Sequence, residues 1–326
     1  MPEPKIEKDT DVLLKIEMVG VCGSDVHYYE TGRIGSQVVE FPFIIGHECA
    51  ATVKAAGKSV TRVKVGDMVA VDPAVSCHNC VQCKMGRENT CYNLRFLGTP
   101  GQGNGCLCEY IVMPQESCFP TKITFEQAVI SEPLAIAAYS VERAQLPSNA
   151  NVAILGAGPV GLCTLVSAMA KNTNACYVTD KIDARAAAAK KAGATWVGNP
   201  DKQDIVKEIL RQKPDGLDVA FECAGQQETI DQCVELLRPG GKIALTGIPR
   251  TDRISMSIDK LRRKEITIVN IRRQNEFTHK AVEMIESCKV EVDFMVTHHF
   301  PLEKTQEAFE LVSAYRDGVI KAMINM

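Results

Sequence analysis

The sequence predicts an α/β protein of two domains, one β-rich and irregular, the other a doubly wound parallel sheet. Three observations carry that prediction. A length of 326 residues exceeds one ordinary core and fits two. Up to about residue 120, short β-rich runs such as ATVKAAG and DMVAVDP alternate with Gly, Pro and Cys punctuation, the texture of a loop-rich β domain. From about 125 to 275, apolar runs of strand length alternate with helical stretches, the pattern of a parallel sheet.

In order, NVAILGAG reads as a strand ending in a glycine turn and GLCTLVSAMAKN as the helix after it. ACYVTD is the next strand and the Ala-rich DARAAAAKKAGA the next helix. LDVAFECAG, a helix through Glu228 to Leu237 and GGKIALTGI continue the alternation. From about 276 come a helix in HKAVEMIES, a short strand, a second helix in TQEAFELVSA and the closing apolar segment VIKAMINM. No internal repeat or low-complexity linker interrupts the chain.

Net charge is −3 and the pI about 6.1, with no Lys/Arg tract, so nucleic acid is not an expected partner. The opening MPEPKIEKDT has no apolar core of the signal-peptide kind. Asn151 to Ala170 is apolar and about as long as a membrane span, but three glycines and a proline fall within six of its residues. A buried strand and helix joined by a glycine turn explain it better than a membrane segment. Fourteen cysteines without a secretion signal favour a reducing compartment and metal binding over disulfides. Cys163, Cys223 and Cys233 sit in apolar runs and read as small buried hydrophobes.

Gly156-Ala-Gly158-Pro159-Val160-Gly161 follows a strand and opens a helix. In that context the glycines serve a tight turn, close approach to a pyrophosphate and helix–strand packing. The helix N-terminus offers unpaired N–H groups to the phosphates. Nineteen residues after Gly161 the next strand ends in Asp180, placed to accept from ribose hydroxyls and to repel a 2′-phosphate, which favours NAD over NADP. Lys181 and Arg185 lie close by and either could face a phosphate.

Cys77-x2-Cys80-x2-Cys83-x7-Cys91 is the most specific spacing. Four thiolates there can close a tetrahedron on zinc, a site with no open position and hence structural. An iron–sulfur cluster uses the same ligand type. A second set is dispersed: Cys22 in VCGSD, His47 and Glu48 in GHE, and Glu132 in SEPL. Singly, each has a bland reading, a loop histidine or a helix-start glutamate. Together they would leave one zinc position for water or a substrate oxygen.

GVCGSDVHYYETGRIG, GHE, the four-cysteine lobe, EPL and GAGPVGL, in that order, resemble the zinc-containing medium-chain alcohol dehydrogenases. HYYETGRIG and the Cys/His/Glu/Glu set are similar to the sorbitol/xylitol (polyol) branch, and the resemblance covers essentially the whole chain. It implies a GroES-like catalytic domain from residues 1–124 and 276–326, and a Rossmann NAD-binding domain over 125–275. It also implies a cytoplasmic homotetramer or homodimer. Residue by residue, it implies Cys22, His47 and Glu48 on a catalytic zinc, with Glu132 reaching the metal directly or through water. Ser24 and His27 match a proton-relay hydroxyl and imidazole. Tyr28, Phe96, Glu132 and Arg273 match substrate contacts.

The implied reaction moves a hydride from a secondary hydroxyl of a polyol to NAD+, giving a ketose. An L-threonine 3-dehydrogenase and a non-catalytic relative that keeps the NAD and zinc sites are the alternatives. Members of the family begin with further residues that form the first strands of the catalytic domain. Without such a ribbon, strand edges are expected to be exposed and the melting temperature lowered.

Overall fold

The computed structural model describes residues 3–326. The chain divides into two units: one runs to Ala135 and resumes over Asn275–Met326, the other is Ile136–Gln274.

The first unit opens with β1 (Asp11–Gly20), α1 (Gly23–Thr31), β2 (Glu48–Ala56), β3 (Met68–Val71), β4 (Tyr110–Pro114), β5 (Cys118–Pro120) and the start of α2 (Phe125–Ala144), whose residues from Ile136 belong to the second unit. β1 is buried along nearly all of DVLLKIEMVG, as its near-continuous apolar run requires. One edge pairs with β2. The other is divided, Asp11–Lys15 pairing with β4 and Met18–Gly20 with the last strand of the chain. Val12, Leu14, Ile16, Val53, Val69 and Ile111 form the core beneath it. Burying each such side chain stabilises by about 1.5–3 kcal/mol.

α2 carries Pro133 in its interior, so SEPL is not a helix start; Glu132 lies two turns in. Proline has no N–H to return to the carbonyl of Val129. Glu132 thereby belongs to the unit that holds Cys22, His47 and Glu48.

The second unit contains β6 (Asn151–Leu155), α3 (Pro159–Met169), β7 (Ala175–Thr179), α4 (Asp183–Lys191) and β8 (Trp196–Gly198). It continues with α5 (Ile205–Gln212), β9 (Leu217–Glu222), α6 (Gln227–Leu236), β10 (Leu237–Leu245) and β11 (Thr267–Asn270). Its six strands are all parallel in the order β8-β7-β6-β9-β10-β11. The order reverses between β6 and β9, the switch point at which doubly wound sheets bind dinucleotides. The apolar stretch from Asn151 resolves into β6 and α3. No helix among the described residues is long and apolar enough to cross a membrane.

Back in the first unit, α7 (Thr278–Glu286), β12 (Val296–Pro301), α8 (Thr305–Ser313) and β13 (Lys321–Asn325) complete the chain. The first sheet then reads β12-β13-β1-β2-β3-β5, with β4 also on β1. Val26 of α1 packs with Phe309 and Val312 of α8 and with Ala322 and Ile324 of β13. That contact fixes α1, and with it Cys22, against the end of the sheet.

Candidate active site and metal centres

β1 ends at Gly20, and Cys22 caps α1 two residues later. β2 opens at Glu48, in register with Gly20, so His47 and Glu48 arrive beside Cys22. Ligand atoms of Cys22, His47 and Glu48 lie within 4.8 Å of one another. A thiolate, an imidazole and a carboxylate so placed suit zinc with one position left open. Gly20 makes the approach feasible: a Cβ there would stand 2.5 Å from Glu48 Oε2 and 2.7 Å from Val129 Cγ1.

His47 is buried, with Nδ1 3.2 Å from Asp25 Oδ1. Asp25 orients the ring and leaves Nε2 as the other ring nitrogen, the usual support for a metal-binding histidine. Phe96 packs against the same imidazole, ring centroids 5.4 Å apart. Burial opposes charging His47, but Asp25 and Cys22 outweigh it and raise its pKa well above the ordinary value. A field that draws a proton there draws a dication more strongly.

Glu48 and Lys321 are each 1% exposed. Lys321 Nζ donates to Glu48 Oε2 and, at 3.2 Å, to the Val21 carbonyl. Burial works against the Lys321 charge, and Glu48 more than restores it. Neither Asp25 nor Lys321 emerges from sequence reasoning. The available signals were weak: a carboxylate one helical turn after Cys22, and a lone cation in an otherwise apolar closing strand.

Glu132 is buried outside the tight triple, and its Oε2 has no hydrogen-bond partner. Burial pushes its carboxyl up to about 8, against the pull of His47. A buried orphan oxygen is unusual, and a cation or a bound hydroxyl would satisfy it. The donor set therefore fits a catalytic zinc. Ser24 Oγ donates to Cys22 Sγ at 3.3 Å. His27 and Tyr28 follow one turn along α1, and Tyr28 Oη donates to Gln37 Oε1 at 3.1 Å. Arg273 belongs to the second unit, after β11, with φ 53°.

Cys77, Cys80, Cys83 and Cys91 converge within one lobe of the first unit. The Cys80–Cys83, Cys91–Cys77 and Cys80–Cys91 sulfurs are 3.5, 3.5 and 3.8 Å apart. A zinc tetrahedron with the usual Zn–S length has edges of about 3.8 Å, so the spacing is that of one metal ion. Backbone N–H groups and Asn93 lower the Cys77 thiol to about 6, and backbone donors lower Cys80. Burial and the crowding of its sulfur neighbours push Cys83 up to about 12.

In the second unit, Gly156 has φ 101°, and a Cβ on it would stand 3.0 Å from Ala224. Gly161 admits no Cβ at all, since Gly156 O would be 1.9 Å away. Gly158 caps α3, Pro159 fills its first position, and the Val160 carbonyl accepts from Thr164 Oγ1. Asp180 follows β7, its two oxygens accepting from Ala157 N at 2.7 Å and Ile182 N at 2.8 Å. The carboxylate is thus fixed against the glycine turn. Arg185 Nη1 lies 3.5 Å from where a Gly158 Cβ would be, while Lys181 forms an exposed ion pair with Asp201.

Comparison with known proteins bears on both units. Residues 8–123 match the alcohol dehydrogenase GroES-like domain and residues 159–287 the zinc-binding dehydrogenase domain. The chain is 40% identical to sorbitol dehydrogenase of Bacillus subtilis, over 99% of this chain and 92% of that protein. It is 34% identical to D-xylulose reductase A of Aspergillus niger, over 96% and 89%. An Escherichia coli oxidoreductase/dehydrogenase of unknown specificity superposes with a TM-score of 0.93 at 32% identity, covering 98% of this chain and 93% of that one.

Proposed function

We propose, from the premise that this chain belongs to the zinc-containing alcohol dehydrogenase family, that it oxidises a secondary hydroxyl of a polyol such as sorbitol or xylitol to a ketose, with NAD+ as hydride acceptor. The observation that carries this reading is the convergence of the partly buried Cys22 with the buried His47 and Glu48, together with the unpartnered Glu132 Oε2.

Cys22, His47 and Glu48 would hold the catalytic zinc, and Cys77, Cys80, Cys83 and Cys91 a structural one. Zinc, when bound at the first site, supplies Lewis acidity that makes the substrate hydroxyl a stronger acid. Asp25 holds the His47 ring in place, and Lys321 steadies Glu48. Ser24 Oγ passes the proton on towards His27, or Glu132 takes it through a water. Tyr28 and Glu132 receive the neighbouring hydroxyls, with Phe96 as an apolar wall and Arg273 as a further hydroxyl contact. Gly156, Gly158, Pro159, Val160 and Gly161 take the pyrophosphate of the cofactor. Asp180 takes the adenosine ribose, and Lys181 and Arg185 lie along the same edge. Because unpaired buried polar groups penalise a simple alcohol, discrimination against ethanol is steep.

A homodimer or homotetramer is part of the same reading. β11 pairs only with β10 among the described residues, and Ile258 in the preceding segment is 75% exposed. Sedimentation velocity tests it, and a monomer at micromolar concentration would refute it. The many free thiols suit a cytoplasmic setting.

NADH formation with sorbitol, xylitol, L-arabinitol, L-threonine and ethanol, each with and without a zinc chelator, tests the activity. Chelator-sensitive turnover of a polyol is expected. Equal efficiency on ethanol and sorbitol would sink the pocket assignment.

A further inference from the structure

Glu222 is the last residue of β9 and is 1% exposed. Its Oε1 accepts three donors: Ala224 N at 2.9 Å, Gly225 N at 2.7 Å and Thr229 Oγ1 at 2.7 Å. Its main-chain oxygen accepts Thr246 N and Gly247 N, each at 2.9 Å, from the turn that follows β10. One buried residue therefore ties together the end of β9, the first turn of α6 and the end of β10. Glycines let these segments close up. A Cβ on Gly247 would stand 2.5 Å from Gly225 N and 2.6 Å from Glu222 Oε2, and one on Gly225 would meet Ile248 O at 2.4 Å.

These turns lie at the carboxyl ends of β9 and β10, directly across the switch point from β6 and its glycine turn. Gly156 abuts Ala224 of the same assembly. Asp180 stands after β7, on the half of the sheet that takes the adenosine. A dinucleotide crossing the switch point must lay its other nucleotide over β9 and β10. Ile248, on the turn after β10, stays 54% exposed there, an apolar side chain on a polar rim.

We infer that Glu222 is a positioning residue for the nicotinamide half of the cofactor: it pins the Cys223–Gly225 and Thr246–Ile248 turns into a preformed wall. The inference rests on the NAD-linked reading above. Charge-assisted bonds from two backbone N–H groups and a hydroxyl are stronger than neutral ones and keep the turns from relaxing before the cofactor arrives. Burial raises the carboxyl above its ordinary value while Thr229, Gly225 and Ala224 pull the other way, so the three donors act against the cost of burial.

The test compares NADH with ADP-ribose, which lacks the nicotinamide, by calorimetric titration of the zinc-loaded full chain. Glu222→Gln and Gly247→Ala are the variants; the second crowds the Gly225 turn and Glu222 Oε2 but keeps the charge of the carboxylate. Both are expected to raise the NADH Kd about tenfold, the loss of one charge-assisted bond. Both leave ADP-ribose within about twofold of the parent, inside the spread of a neutral change. Equal weakening of both ligands, or of neither, overturns the inference. A parent protein that binds neither ligand overturns the cofactor reading itself, and the inference falls with it.

Discussion

Replacing Lys321 by methionine removes one charge and little volume. The ammonium is 1% exposed and donates to Glu48, which is equally buried. Removing one partner of such a pair costs about 3–5 kcal/mol, because the other charge is left uncompensated in a medium that solvates it poorly. A unit of this size loses roughly 2–4 °C of melting temperature per kcal/mol, so the metal-free protein should melt about 10 °C lower. With zinc bound the loss should shrink, since a dication beside Glu48 supplies part of the missing compensation. Scanning calorimetry of the parent, Lys321→Met, Glu48→Gln and the double variant, with zinc and after chelation, measures the coupling. The double variant should recover roughly 1–3 kcal/mol relative to the sum of the single changes. Additive shifts, or a loss indifferent to zinc, would refute the pairing argument.

Three other expectations follow from the geometry. Cys80→Ala should lower the zinc content by one ion per chain and the melting temperature with it, while NADH affinity is kept; elemental analysis showing the parent zinc content would count against a structural metal in the lobe. Asp180→Ala frees Ala157 N and Ile182 N, and should raise the KM for NAD+ about tenfold or more while narrowing the preference over NADP+. An unchanged cofactor ratio would show that another group sets it. For the metal-free protein, Glu132 is raised to about 8 and His47 well above its ordinary value, so the native state holds more protons than the unfolded chain. The His47 contribution is fully present below the unfolded value and lost on passing the folded one. The Glu132 carboxylate becomes a burden as pH rises from the unfolded value towards 8. These groups therefore make the metal-free urea midpoint fall from about pH 5 to 8, while zinc affinity rises over the same window because its ligands must shed protons. A midpoint that climbs instead would contradict the sign.

The fold was legible because its signals are periodic and local. Strand–helix alternation from Asn151 to Leu245 is set by residues that touch their own neighbours in sequence, and the glycine turn announces its geometry in Gly156 and Gly161. The four-cysteine lobe was legible for the same reason, its ligands lying within one short loop. The dispersed candidate set is different. Cys22, Glu48 and Lys321 meet only because β1 pairs with β2 on one edge and with β13 on the other, a contact between the two ends of the chain. No window of sequence contains it, so only the resemblance points to the candidate ligands and nothing in the sequence points to the lysine. Glu222 was hidden in another way: it sits in an apolar strand, where the usual inference is packing, and its function lies in main-chain groups that side-chain patterns do not encode.

The charges around the triple account for the presence of both residues that sequence reasoning passed over. With a metal held there, the Cys22 sulfur and the Glu48 and Asp25 carboxyls would amount to three anionic groups in one small space, an arrangement that needs compensating charge. Lys321 offsets one of them permanently. The remainder matches a dication. On this count Glu132 is the group free to change its charge during turnover, since Glu48 is held by Lys321 and Asp25 by His47. Under the proposed function, that division of labour would give the two glutamates distinct tasks, one holding the metal and the other handling the proton. It also predicts distinct phenotypes: Glu132→Gln should keep zinc but flatten the pH dependence of kcat, whereas Glu48→Gln should weaken zinc binding first. Zinc loss from Glu132→Gln matching that of Glu48→Gln would put both carboxylates on the metal and undo the distinction.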